Sequence, residues 1–208
     1  MHDFFGLPIG SLENDLIQLE YLTTAGPRIV RFSKPGAVNL LAELPQFNLD
    51  TVLGPFYFRG GHRLWCSPER MPETYAPDNE GLIVERIEQG VRLIQPMETG
   101  ITKRVEVQLT PDRAEVTLTH YLFNSSKSSV RISPWAITMF RLGGTVILPQ
   151  PVGNVDSAGL LHNRILALWP YTRIHDPRLV LRDDFIMIKA DPAMPPAKIG
   201  TYNPHGWL

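Results

Sequence analysis

Between residues 82 and 122 four segments alternate apolar and polar side chains, and only short turn-forming stretches separate them. Residues 82–88 and 91–96 are joined at Gln89-Gly90, a pair that suits a tight hairpin. Residues 102–109 and 114–122 flank the turn Thr110-Pro111-Asp112-Arg113. A period of two puts successive side chains on opposite faces of an extended chain, so each segment offers one apolar face to a core. Consecutive segments of this kind fold as an antiparallel sheet, and this run constrains the architecture more than any other part of the chain.

Elsewhere the same signals recur less cleanly. Residues 16–22 and 28–32 read as strands around a turn at 23–27, and 134–140, 145–149 and 184–189 read as further strands. The apolar stretch 37–44 is expected to be a strand, 45–55 a loop, and 1–15 an irregular lead-in punctuated by Gly6, Pro8 and Gly10. Residues 68–81 contain three prolines and several acids, which predicts a long irregular loop of the kind that often carries function. With 19 prolines and 16 glycines in 208 residues, helices are interrupted everywhere, and no amphipathic helix of three turns is present. The expected class is all-β: a single sandwich domain spanning 1–208, with strands every 8–12 residues.

Charge excludes some partners. Lys and Arg number 20 against 21 Asp and Glu, a formal net charge of −1, so no field draws the chain to nucleic acid or an anionic membrane. No apolar run approaches a membrane span, and the acidic Met1-His2-Asp3 start does not resemble a secretory signal. Cys66 is the only cysteine, so no internal disulfide can form and a cytoplasmic location is expected.

The richest local chemistry lies in Gly60-Gly61-His62-Arg63-Leu64-Trp65-Cys66-Ser67-Pro68-Glu69. Two glycines permit positive φ and close backbone approach. If the stretch is extended, His62, Leu64 and Cys66 point one way and Arg63 and Trp65 the other. The bland alternative is a bulged strand with a packed Trp. The six histidines show no helical or H-x-H spacing, and His62 with Glu69 falls short of a zinc ligand set, so no metal and no cofactor are expected. There is no G-x-S-x-G, and the glycine pairs do not sit between a strand and a helix as phosphate-cradling loops do. Carbohydrate fits the residue types better. Aromatic rings meet apolar sugar faces, while Arg, His, Asn, Asp and Glu bond the hydroxyls, and all four Trp residues have such neighbours in the sequence.

Three stretches give a resemblance: Gly26-Pro27-Arg28-Ile29-Val30-Arg31-Phe32 with Asn39-Leu40-Leu41; Gly60-Gly61-His62-Arg63-Leu64-Trp65; and Asn124 followed by Pro134-Trp135-Ala136-Ile137-Thr138-Met139-Phe140. On these the chain resembles the galactose mutarotase-like (aldose 1-epimerase-like) superfamily, and within it a bacterial branch carrying G-G-H-R-L-W. The resemblance implies an antiparallel β-supersandwich with a groove on its concave face. A complete supersandwich needs more than 208 residues, so the expected form is incomplete at the C-terminus. Mutarotases of this superfamily open the sugar ring with a glutamate base and a histidine acid, two groups with separated pKa values facing each other across the ring. This chain departs from the pattern where the acid histidine is expected, since that place reads Pro134-Trp135, and no late motif matches the base glutamate.

The resulting expectation is a carbohydrate-binding, mutarotase-like protein. His62 is the remaining acid candidate, with Glu69 or Glu98 as its partner. Arg63, Trp65, Trp135, Asn124 and Arg141 are the substrate-binding candidates. The alternatives are a non-enzymatic β-sandwich module with a vestigial groove, and a polysaccharide lyase or hydrolase, which would want a facing carboxylate pair. The expected partner is a small carbohydrate, and exposed edge strands favour pairing with a second copy as a homodimer.

Overall fold

The structure is a computed structural model, and it describes residues 3–96 and 100–202. The described residues are all-β, built from antiparallel sheets and one short 3-10 turn, Glu73–Tyr75. No helix among them is long and apolar enough to cross a membrane. The chain divides into two compact units, Met1–Arg141 and Leu142–Leu208, where the sequence reading expected a single domain over 1–208.

In the first unit the strands are β1 (Asp3–Phe4), β2 (Leu7–Glu13), β3 (Gln18–Leu22), β4 (Arg28–Ser33), β5 (Glu43–Thr51) and β6 (Gly54–Ser67). They are followed by β7 (Ile83–Ile87), β8 (Gly90–Gln95), β9 (Ile101–Leu109), β10 (Val116–Asn124) and β11 (Ser133–Met139). A seven-stranded sheet runs β1-β2-β3-β4-β6-β11, with β5 also paired to β6, and a four-stranded sheet runs β10-β9-β8-β7. The four segments whose alternation dominates the sequence form this second sheet. In β9 the alternation is complete: Ile101, Lys103, Val105, Val107 and Leu109 are buried, and the residues between them are half-buried. The core between the sheets joins Leu19, Tyr21, Ile29, Leu41 and Leu64 to Val91, Leu93, Val105 and Val107.

β6 is 14 residues long and changes partners along its length. It pairs β5 over Gly54 to Gly60, β4 at His62 and Arg63, and β11 over Gly61 to Ser67. The change occurs at Arg59-Gly60-Gly61, three consecutive residues with positive φ (56, 83 and 64). A Cβ on Gly60 would stand 2.0 Å from the Ala42 carbonyl oxygen, and one on Gly61 1.9 Å from that of Ile29. Only glycine lets the neighbouring backbones approach this closely.

Three expectations need correction. Residues 1–15 are not an irregular lead-in, because Leu7–Glu13 pairs with β3 and Phe4 is buried beside Leu22, Ala25 and Val30. The strand expected at 37–44 and the loop at 45–55 are displaced: most of 37–44 is irregular, and β5 occupies Glu43–Thr51. Asn39 accounts for the first of these, since its side chain replaces ladder hydrogen bonds. Its Oδ1 accepts from the N–H groups of Phe32 and Leu41, both at 3.0 Å, and its Nδ2 donates to the Val30 carbonyl at 3.2 Å and Glu43 at 2.9 Å. Pro45 accounts for the second. It falls within the register shift of the β5–β6 pairing, a place where a strand tolerates a residue without N–H.

In the second unit β12 (Thr145–Pro149), β13 (Leu166–Leu168), β14 (Leu179–Leu181), β15 (Phe185–Lys189) and β16 (Ile199–Thr201) form two small sheets, β12-β15-β14 and β13-β16. The strands β14 and β16 are too short to show a period in sequence. The turn before β14 is closed by Asp176, which accepts from Arg178 Nε at 2.9 Å and Nη2 at 2.7 Å. Those charge-assisted bonds hold its carboxyl down at about 2.

Candidate functional site

The chemistry-bearing residues of the first unit collect on β6, and strand alternation sorts them onto its two faces as the sequence predicts. His62 and Leu64 face the four-stranded sheet; Arg63 and Trp65 face the other way.

On the Arg63 face lies an aromatic and cationic cluster. The Arg63 guanidinium carbon is 4.2 Å from the Trp65 ring centroid, 5.3 Å from that of Phe58 and 6.0 Å from that of Phe56. Trp65 in turn touches Tyr75 (4.8 Å between ring centroids) and Trp135 (5.4 Å), its cross-strand partner on β11. Tyr75 is carried by the segment 68–81, so this irregular stretch forms the cover of the cluster. Its hydroxyl donates to Glu69, and burial together with that carboxylate raises the phenol to about 12. Trp65 and Arg63 are buried, whereas Trp135 and Tyr75 are half-buried and Glu69 is exposed. The outer layer is therefore two rings and a carboxylate, with an indole and a guanidinium behind them.

Behind this layer the cations outnumber their counter-ions. Arg28, directly opposite Arg63 in the β4–β6 register, is fully buried and pairs with Asp78 at 2.8 Å. Arg59 reaches the other oxygen of Asp78 at 3.4 Å and donates to Asn79 at 2.9 Å. Arg63 makes no ion pair with a carboxylate among the described residues. Its Nη1 donates only to the Phe58 carbonyl at 3.4 Å, which also accepts from Arg28, and to the Met139 sulfur at 3.8 Å. Burial, then repulsion from Arg28, pulls the Arg63 guanidinium down to about 9. Nε of Arg28, Nε of Arg63 and Nε1 of Trp65 are buried N–H donors without an acceptor among the described residues.

On the opposite face His62 meets His120 of β10. Their Nε2 atoms are 2.8 Å apart, and His62 Nδ1 is 2.8 Å from the Thr138 hydroxyl oxygen. One Nε2 must donate and the other accept, so the contact holds a single proton. When His62 donates at Nε2, its Nδ1 accepts from Thr138; when His120 donates, His62 Nδ1 donates to the Thr138 oxygen. Burial, followed by the proximity of His120, Arg28 and Arg63, lowers His62 to about 4, and burial also lowers His120. Both rings are neutral at pH 7. The side chain of Lys103 on β9, also buried, makes no hydrogen bond or ion pair among the described residues, and burial depresses its ammonium.

The structure brings Arg63, Trp65, Trp135 and Glu69 into one cluster. His62 is adjacent in sequence but faces away from them. Asn124 lies at the end of β10, where its side chain closes the following turn through Ser126 and Ser128. Arg141 is exposed and donates its backbone N–H to Leu40. Glu98 lies outside the described residues. Among those residues no group of three or more His, Cys, Asp or Glu is placed to hold a metal ion.

Sequence reasoning missed His120, Arg28, Arg59 and Asp78. His120 was within reach, since the alternation of 114–122 puts it in line with Leu118 and Leu122 on the buried face. The convergence of Asp78 on two arginines, from 50 and 19 residues away, has no local signal. No family model, no curated protein and no solved structure matches this chain.

Proposed function

We propose that the protein binds a carbohydrate in the manner of the galactose mutarotase-like proteins it resembles, at the Arg63 face of β6. The observation that carries this reading is the arrangement of Trp135 and Tyr75, half-buried and both in contact with Trp65, whose ring lies against the Arg63 guanidinium, with Glu69 hydrogen-bonded to Tyr75. Half-buried rings offer a stacking surface to the C–H face of a pyranose. The carboxylate and the guanidinium supply an acceptor and donors for its hydroxyls. The supersandwich architecture belongs to the same proposal, supported by two antiparallel sheets packed through a common core in the first unit.

The same geometry bears on catalysis. Ring opening requires an acid and a base across one sugar, and His62 and Glu69 lie on opposite sides of β6. A binding protein without mutarotase activity is therefore the favoured form of the proposal. Saturation-transfer NMR with galactose, glucose and their uronates tests binding, and a Trp135→Ala variant should lose the signal while remaining folded. Polarimetry tests catalysis, and accelerated interconversion of α- and β-anomers would overturn the non-catalytic form. Failure of every sugar to bind would overturn the proposal itself.

A further inference from the structure

The guanidinium cluster behind the aromatic layer is poorly explained by a neutral sugar. Three arginines, Arg28, Arg59 and Arg63, are buried against a single carboxylate, Asp78. Glu20, the other buried carboxylate among the described residues, is engaged by Arg31 at 2.8 Å. Burying a guanidinium without a counter-ion is costly, and cation–π contact with Trp65 and Phe58 offsets only part of that cost. The unpartnered atoms sharpen the point. Arg28 Nε, Arg63 Nε and Trp65 Nε1 are all donors, from groups that cannot accept. A hydroxyl could satisfy such atoms one at a time. A group that is acceptor-only and negatively charged, such as a phosphate or a carboxylate, satisfies several donors together and neutralises the excess charge.

The geometry points to an oxyanion site at Arg63, flanked by Arg28 and Arg59, that receives the acidic group of an anionic sugar whose ring stacks on Trp135. The sugar part rests on the carbohydrate-binding reading above; the oxyanion part stands on the arginines alone. Asp78 neutralises one of the three guanidinium charges, so a dianionic group completes the balance and a monoanionic one halves the excess. Tyr75 and Trp135, the half-buried members, mark the side from which the ligand enters.

The test is titration calorimetry on the full chain with four probes: inorganic phosphate, galactose, galactose 6-phosphate and galacturonate. The expected result is at least tenfold tighter binding of one of the acidic sugars than of galactose. The two acidic arms distinguish a phosphate from a carboxylate. Arg63→Met should weaken that acidic sugar at least tenfold, and by a larger factor than it weakens galactose. Asp78→Asn, which raises the positive charge, should strengthen it, and Arg113→Gln at an exposed site should change nothing. Galactose binding as tightly as both acidic sugars overturns the oxyanion site and leaves the carbohydrate reading intact. Phosphate binding that depends on Arg63, with neither acidic sugar gaining over phosphate and galactose silent, supports the oxyanion site and overturns the sugar. Silence from all four probes overturns both. The wild-type comparison stands even if a variant fails to fold.

Discussion

His62 and His120 approach each other from the two sheets of the first unit, Nε2 to Nε2 at 2.8 Å, and share one proton in the interior. The pair is a polar tie between the two sheets, and burial together with Arg28 and Arg63 disfavours a charge on His62. Protonating both rings would set two N–H donors and two like charges against each other, beside Arg28 and Arg63, which already lower His62.

This contact makes stability depend on pH in a defined direction. His62 is lowered from 6.5 to about 4 in the folded chain, so the unfolded chain binds a proton more readily in that interval. The stabilisation is fully present above pH 6.5 and is lost progressively as the pH falls towards 4. At 1.36 kcal/mol per pKa unit it amounts to about 3 kcal/mol. Urea midpoints followed from pH 7.5 to 4 should show this decline, and His62→Gln, which retains hydrogen-bonding capacity without titrating, should flatten it. An unchanged slope in that variant would remove the pair as its source.

Asp78 is the counter-ion of two buried guanidiniums, at 2.8 Å from Arg28 and 3.4 Å from Arg59. Removing its charge strands both cations in the interior, which for buried pairs costs about 3–5 kcal/mol. Asp78→Asn is therefore expected to lower the denaturation midpoint sharply at pH 7. The exposed pair Arg113–Glu115 at 3.5 Å is the control: Glu115→Gln should cost well under about 1 kcal/mol.

Asn39 replaces a stretch of sheet ladder with four side-chain hydrogen bonds, joining Val30 and Phe32 to Leu41 and Glu43. Truncation removes all four and leaves half-buried backbone groups unpaired. At about 1 kcal/mol per net hydrogen bond, Asn39→Ala should destabilise the first unit by about 2 kcal/mol or more. Hydrogen exchange should localise the loss to the amides of Phe32 and Leu41. Uniform change across the unit would instead mean that Asn39 acts through the global fold.

The contrast between Asn39 and the four-stranded sheet shows where the sequence is readable. In residues 82–122 each strand's pairing partner is next in the chain, so a period of two and a turn suffice to place it. Asn39 acts through a side chain that imitates backbone, and apolar periodicity therefore misreads 37–44 as strand. The candidate site divides in the same way. Alternation alone separates His62 and Leu64 from Arg63 and Trp65, because that separation is local to β6. The meeting of Arg28, Arg59 and Asp78, and that of His62 with His120, are set by the closing of distant strands and leave no trace in local pattern. Pro45 misleads for a different reason: proline ends a central strand but is tolerated within a register shift, and only the pairing shows which case applies.

Gly61 is where β6 exchanges β5 for β4 and β11, and the exchange requires that its neighbours come closer than any Cβ allows. An alanine there would place its Cβ 1.9 Å from the Ile29 carbonyl oxygen, in a backbone already at φ 64. The left-handed conformation alone costs about 1–2 kcal/mol for a residue with a Cβ. The clash adds to it, because the opposing atom is backbone held in the β4–β6 ladder and cannot rotate away. Gly61→Ala should thus cost at least about 3 kcal/mol and, by displacing His62 and Arg63 on either side of the strand, disturb both the histidine contact and the cation cluster. Gly144 supplies the comparison: nothing lies within 4 Å of its would-be Cβ, and its φ is outside the left-handed range. Gly144→Ala should be neutral, or stabilising by about 0.5 kcal/mol through the unfolded chain. Paired denaturation curves for the two alanine variants decide the matter, and equal midpoints would refute the role assigned to the glycine turn.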